Sequence, residues 1–311
     1  MGAQLRVLRR RTKSVESTQK ITRAQELIAA SRIVKAQARV NASRPYAQAL
    51  LRALESAASN AAIDHPLTTP AEDPKRAAVL LITSDRGFAG AFSANVIREC
   101  RALLAKLEER GLEVDLYCVG KKGISFFAFR GYELAGQWEG FTEEPTYAEA
   151  KEVAKPIVEA LTEDEGHVDE YYVITTQFQS MVTQIPFVRR LIPVEVQVEE
   201  VGVGEDEEVA EAGAGGAAPT EFPLYEFEPS PEGVLDTLMP RYVEYAVFFT
   251  LLHSAASQHA ARQRAMKSAT DNAADLIKDL TRQANQARQS EITQEISEIV
   301  GGADALAESK N

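Results

Sequence analysis

Four residue groups in this chain have the types needed for chemistry. The first is Thr83-Ser84-Asp85-Arg86-Gly87-Phe88-Ala89-Gly90-Ala91, which follows a short apolar run and precedes a helical pattern. A phosphate-cradling loop occupies that place in a doubly wound fold, because backbone N–H groups and a helix N-terminus converge there. The glycines do not have the G-x-G-x-x-G spacing, and no G-K-[ST] follows. The competing reading is a tight strand-to-helix turn in which Asp85 and Arg86 pair locally. The second group is the histidines, His65, His167, His253 and His259. They are scattered, with no Cys or carboxylate at ligand spacing, so no metal is expected. Ser254 and Ser257 share a helix with His253 and His259 but complete no Ser-His-Asp arrangement. The third is Cys100 and Cys118, in apolar surroundings, which read as buried small hydrophobes and not as a disulfide framework. The fourth is a charge pattern. Residues 1–44 carry eleven basic side chains against Glu16 and Glu26, whereas Leu191 to Pro240 holds no Lys or Arg. A basic arm can meet nucleic acid, anionic lipid or an acidic protein surface. Tyr46 is the only aromatic before the linker, which argues against base stacking on single strands. No enzyme site and no cofactor emerge from these groups.

The elements that would position them divide into helical ends and an α/β middle. From Gln4 to about Ala58 the only breaker is Pro45, expected to kink the helix or to start a new segment at Ser43. At about 1.5 Å per residue this is a rod on the order of 80 Å. Asp64 through Pro74 is a breaker-rich linker. At the other end, Phe249, Leu252, Ala256, His259, Gln263, Met266, Thr270, Ala273, Ile277, Leu280, Ala284 and Ala287 follow alternating four- and three-residue steps. That is a heptad seam, thin in Leu and Ile, with His259 as a polar layer or a partner contact. The apolar stripe then shifts to Ile292, Ile296 and Ile299, and Gly301-Gly302 is expected to end the helix. Helices of this length need a partner, and the simplest is each other, as an antiparallel coiled coil standing on the middle domain.

In the middle, strands are expected at Ala77–Thr83, Glu113–Val119 and Glu170–Thr175. Helices are expected from about Ser93 to Glu109, at Lys121–Phe129 and at Thr146–Leu161. This order predicts a small parallel sheet with helices on its faces. Val194–Glu199 and Phe222–Phe227 alternate like an added hairpin, and Val201–Thr220 between them is Gly/Ala-rich and acidic. The fold class is therefore α/β: a long antiparallel coiled coil of the N- and C-terminal helices with an inserted Rossmann-like domain. The divisions are an N-terminal shaft helix (1–60), an α/β domain with its acidic loop at 201–220 (61–230), and a C-terminal shaft helix (231–311). There is no signal peptide and no segment long enough to span a bilayer.

Several stretches resemble the gamma subunit of F-type ATP synthases of bacterial type. At the N-terminus these are Thr18 to Ala24, Ala29-Ala30-Ser31 and Ser43-Arg44-Pro45-Tyr46. At the C-terminus they are His259 to Arg262, Met266 to Ala273 and Ala287 to Ala303. Ser84 to Gly87, Gln177-Phe178 and Gln184-Ile185-Pro186 match in the middle. The resemblance implies a non-catalytic rotor, the central stalk that couples proton-driven turning of the c-ring to ATP synthesis at beta and regulates ATPase activity. It implies alpha, beta, epsilon and c-ring partners with delta in the same complex, and a peripheral place on the cytoplasmic side of the cell membrane, without insertion. It marks Arg288, Gln289, Thr293 and Glu295 as contacts with the alpha/beta ring, with Lys20, Arg23 and Arg262 beside them on the shaft. Gln25, Ala89 and Arg264 depart from that family's usual Met, Cys and apolar residue, and no paired cysteines of a redox-regulated form occur. The alternative function is a coiled-coil scaffold whose basic arm binds nucleic acid.

Overall fold

The seven residues Arg76-Ala-Ala-Val-Leu-Leu-Ile82 form a strand with no polar position after the first, and such a run is stable only when both of its faces are covered. A computed structural model describes residues 2–59, 69–162, 167–194 and 230–308 and shows that covering. The element order is α1 (Gly2–Ser59), β1 (Arg76–Ile82), α2 (Phe92–Glu109), β2 (Glu113–Val119), α3 (Lys121–Phe129), β3 (Gly136–Trp138), α4 (Tyr147–Thr162), β4 (Glu170–Phe178), β5 (Gln184–Ile192) and α5 (Pro231–Glu308). By contacts the chain divides into two units, Ser31–Ala261 and Met1–Ala30 with Arg262–Asn311.

In the larger unit the five strands lie in the order β3-β2-β1-β4-β5. The first four are parallel and β5 returns antiparallel to β4, so β1 is central. Alternate residues of β1 feed two cores. Ala77, Val79 and Leu81 join Val96, Cys100, Leu104 and Phe127 of α2 and α3. Ala78, Leu80 and Ile82 join Val153, Ala154 and Ile157 of α4. That second core also takes in Leu50 and Leu54 of α1, and Leu235, Met239, Val243, Val247 and Leu251 of α5. The ends of the two long helices are therefore part of the domain's own interior, where the sequence suggested a separate shaft standing on it.

Local chemistry sets the helix starts. Thr146 and Glu149 form a capping box, with Glu149 Oε2 accepting the Thr146 N–H at 2.7 Å. Ser230 caps α5, its hydroxyl accepting the Gly233 N–H at 3.1 Å, with Pro231 in the first helical position. Within this unit α1 and α5 run antiparallel. Tyr245 donates to the Ser43 carbonyl and its ring lies 4.5 Å from that of Tyr46, while Arg32 and His259, about three to four turns further along each helix, both reach Glu143.

In the smaller unit, Leu5, Leu8, Thr12, Val15, Gln19, Thr22, Glu26 and Ala29 face inward on α1, and the C-terminal seam residues Gln263 to Ala287 face inward on α5. Thr22 and Thr270 share a hydrogen bond of 2.8 Å. In an antiparallel pair that register sets Gly2 level with residue 290, so α5 from Glu291 onward has no counterpart in α1 among the described residues.

One expectation is overturned, one is narrowed and two strands are added. Pro45 lies inside α1, so no new segment begins at Ser43. Gly301-Gly302 lies inside α5, which continues to Glu308. The strand after β4 is Gln184–Ile192, with Pro186 on the edge strand of the sheet, where Pro is tolerated. β3 has three residues, too few for any periodicity. Of the proposed hairpin, everything beyond Val194 lies outside the described residues, as does the acidic loop.

At the N-terminal edge of the sheet, Arg110 holds Glu170 in a two-pronged pair at 2.8 and 2.9 Å, Tyr172 donates to the same carboxylate at 2.9 Å, and Arg190 stands 3.9 Å away. Burial alone raises the pKa of Glu170, but the Arg110 and Tyr172 hydrogen bonds outweigh it and hold the carboxyl below its ordinary value. A depressed folded pKa stabilises the fold above the ordinary carboxylate pKa, and that contribution disappears as pH falls through the folded value. Glu170→Gln should cost about 2–3 kcal/mol at neutral pH and flatten the acid limb of a denaturation-versus-pH curve.

Candidate functional site

β1 ends in a polar loop whose first residues, Thr83, Ser84 and Asp85, are bonded within the protein. The Gly123 N–H donates to Thr83 Oγ1 at 2.9 Å, the Lys122 N–H to the Ser84 carbonyl at 3.1 Å and the Lys121 N–H to Asp85 Oδ1 at 3.2 Å. These are the first amides of α3, the helix that follows β2, and they tie its start to the end of β1. Gly120, with φ of +97°, brings the backbone so close that a Cβ there would lie 2.5 Å from the Thr83 carbonyl oxygen. Asp85 Oδ2 accepts both the Thr142 N–H (3.1 Å) and the Thr142 hydroxyl (2.8 Å), and the Asp85 N–H returns a bond to that hydroxyl at 3.0 Å. Asp85 is thus a fixed member of a tight turn, which favours the turn reading. The pairing expected to be local is instead with the β3–α4 turn, since Arg86 lies 3.5 Å from Glu143.

That turn, Phe141 to Glu144, is where the domain meets both long helices. Glu143 pairs with Arg32 of α1, Glu144 pairs with Arg39 at 2.9 Å, and His259 Nε2 of α5 lies 3.0 Å from the Glu143 carbonyl oxygen. A carbonyl only accepts, so Nε2 carries the proton. His259 is thereby tied to the β3–α4 turn of the α/β domain. Nearby, Ser257 donates to the Thr176 carbonyl at 3.0 Å.

The other chemistry-bearing residues are held inert. Burial pushes the Cys118 thiol up to about 12, and burial and the neighbouring Cys118 raise Cys100 as well, so neither is a thiolate near neutral pH. Burial, and then Arg44, press His253 down to about 4, which keeps it neutral against the Phe249 ring. Among the described residues no His, Cys, Asp and Glu cluster could hold a metal, and no helix is long and apolar enough to cross a membrane.

The residues marked as ring contacts separate into two sets. Lys20, Arg23, Arg288, Gln289, Thr293 and Glu295 are exposed, with Arg23 paired to Glu26 at 2.9 Å and the Thr293 hydroxyl turned back to the Gln289 carbonyl at 3.0 Å. Arg262 departs from the outward orientation, being only 6% exposed. Beyond the paired region, Ile292, Ile296, Ile299 and Val300 are exposed, Ile299 to 72%. The α1 register was the legible signal that the sequence reading did not use. Leu5, Leu8, Val15, Ala29 and Ile33 follow heptad steps, but Thr12, Gln19, Thr22 and Glu26 interrupt the apolar pattern.

Comparison with known proteins matches residues 4–306 to the family model described as ATP synthase. The chain is 56% identical over 308 residues to the ATP synthase gamma chain of Acidothermus cellulolyticus, covering 98% of each. It is 56% identical over 309 residues to that of Thermobifida fusca, covering 99% of this chain and 98% of the other. Among solved structures it resembles a chain of the Euglena gracilis mitochondrial ATP synthase, OSCP/F1/c-ring in rotational state 3, with a TM-score of 0.66 at 15% identity, covering 100% of this chain and 97% of the other. A chain of the rotor of the same enzyme in rotational state 1 matches with a TM-score of 0.63 at 16% identity, over 94% and 100% of the two chains. At such identities these two likenesses speak for the fold alone.

Asp85→Ala removes the acceptor of three bonds and should lower stability by about 1–3 kcal/mol, read as a shift in the denaturation midpoint. Calorimetric titration of the unsubstituted chain with ATP and magnesium should give no saturable heat; saturation would restore the phosphate-loop reading.

Proposed function

This chain belongs to the ATP synthase family, among its gamma chains, and from that premise we propose that it is the turning central stalk of the complex. In this reading the paired helices stand in the bore of the alpha/beta ring, and rotation of the asymmetric shaft drives the beta sites through their conformations in turn. The chain supplies coupling and regulation of ATPase activity, and the bond-making chemistry belongs to beta. Epsilon and the c-ring meet the α/β domain, delta belongs to the same complex, and the chain is peripheral to the cell membrane on its cytoplasmic side.

One observation carries the reading. α5 runs on past its pairing with α1 and displays Ile292, Ile296, Ile299 and Val300 to solvent. A contiguous apolar stripe on an unpaired helix calls for a surrounding apolar wall. Just below it, exposed Arg288, Gln289, Thr293 and Glu295 offer hydrogen bonds and charge to the ring. The exposed basic residues of α1, Lys20 and Arg23 among them, suit acidic loops of that ring, where charge complementarity steers and orients. This accounts for the basic arm without nucleic acid, a reading that none of the relatives supports.

The test is positional. A photo-crosslinking residue at Ile296 should give adducts with alpha or beta in membranes, whereas one at Phe129, exposed on α3, should give adducts with neither. Tagged chain should co-purify with alpha, beta, epsilon and c and show no ATPase activity by itself. Purification alone, or the reverse crosslinking pattern, would contradict the assignment.

A further inference from the structure

The α/β domain holds the two long helices in two chemically different ways. One is apolar: Leu50 and Leu54 of α1 and Leu235 to Leu251 of α5 lie in the core beneath the sheet. The other is polar and lies further along both helices, at the Thr142–Glu144 turn. Glu144 pairs with Arg39, Glu143 pairs with Arg32 and faces Arg86 at 3.5 Å, and the Glu143 carbonyl accepts a hydrogen bond from His259 Nε2. The turn is anchored from beneath, since Thr142 is 2% exposed and exchanges three hydrogen bonds with Asp85, and Phe141 packs against the core. The acids of this turn meet cations from α1 and from the β1 loop.

We propose that this acidic turn is a second grip that makes the domain and the helix pair turn as one body under load. The inference rests on the central-stalk reading. Arg32 stands about 27 Å along α1 from Leu50, at about 1.5 Å per residue. Helices held only at the apolar core would swing and twist about that single hold when torque is applied. A second hold at that distance opposes the motion with a long arm. Ion pairs and a hydrogen bond to a backbone oxygen also fix the rotational setting of each helix, which apolar contacts define less sharply. Charged pairs in this half-exposed position add little to folding stability, so their contribution lies in positioning.

The experiment uses the assembled complex in inverted membrane vesicles and reads protons pumped per ATP hydrolysed. Glu143→Arg sets a cation against Arg32 and Arg86, and Glu143→Arg combined with Arg32→Glu restores an opposite-charge pair. In Glu143→Arg the pumping-to-hydrolysis ratio should fall about twofold or more, most strongly against an imposed proton gradient, with hydrolysis retained. The double variant should recover the ratio. An unchanged ratio in Glu143→Arg, a loss that the double variant does not recover, or pumping and hydrolysis falling together with the amount of assembled complex would each overturn the proposal. Failure of the unsubstituted chain to enter a pumping complex would instead overturn the central-stalk reading itself.

Discussion

The sheet of this protein is apolar on both faces, and only one face can be covered by helices of the α/β domain alone. α2 and α3 close the first side. α4 lies on the second but leaves it incomplete, and the gap is filled by Leu50 and Leu54 from one end of the chain and Leu235 to Leu251 from the other. That burial ties the two most distant parts of the sequence into one core. Within Ser31–Ala261 it packs α1 and α5 and the sheet into one compact unit.

Away from that core the interactions change character. Along the pairing of α1 with α5, Ala29, Ala36 and Ala256 allow close approach, while Thr22, Glu26 and Thr270 insert polar groups where a stable coiled coil would carry Leu or Ile. Hydrophobic burial there is small, so register is specified by hydrogen bonds and shape more than by apolar area. Such a pair leaves its outer surface free for other subunits. The polar turn at Thr142–Glu144 then does for orientation what the core does for stability.

The loop after β1 illustrates how a widely used architecture is turned to a different use. The parallel sheet, the strand-to-helix turn and the helix N-terminus are all present, as in nucleotide-binding folds. Here Asp85 is bonded to Thr142, and the first amides of α3 donate to Thr83, Ser84 and Asp85. The loop is an internal joint between β1, α3 and the β3–α4 turn.

The sequence by itself determined the helical ends, the α/β middle, the C-terminal seam and the family, because these depend on periodicity and local residue type over long stretches. Met266, Ala273, Leu280 and their neighbours declare a heptad without any tertiary information. What only the tertiary structure decided involves residues far apart in the chain. Asp85 finds Thr142, Glu143 gathers Arg32, Arg86 and His259, and Arg262 turns inward although its type suggests a surface. None of these pairings leaves a periodic trace, since each is a single contact set by how the sheet brings its loops to one edge. Pro45 and Gly301-Gly302 mark the same boundary from the other side. Local propensity argued for a kink or a new segment at Pro45 and for an end at Gly301-Gly302; α1 is one helix through Pro45 and α5 runs on past the glycines, which lower helix propensity without forbidding the helix.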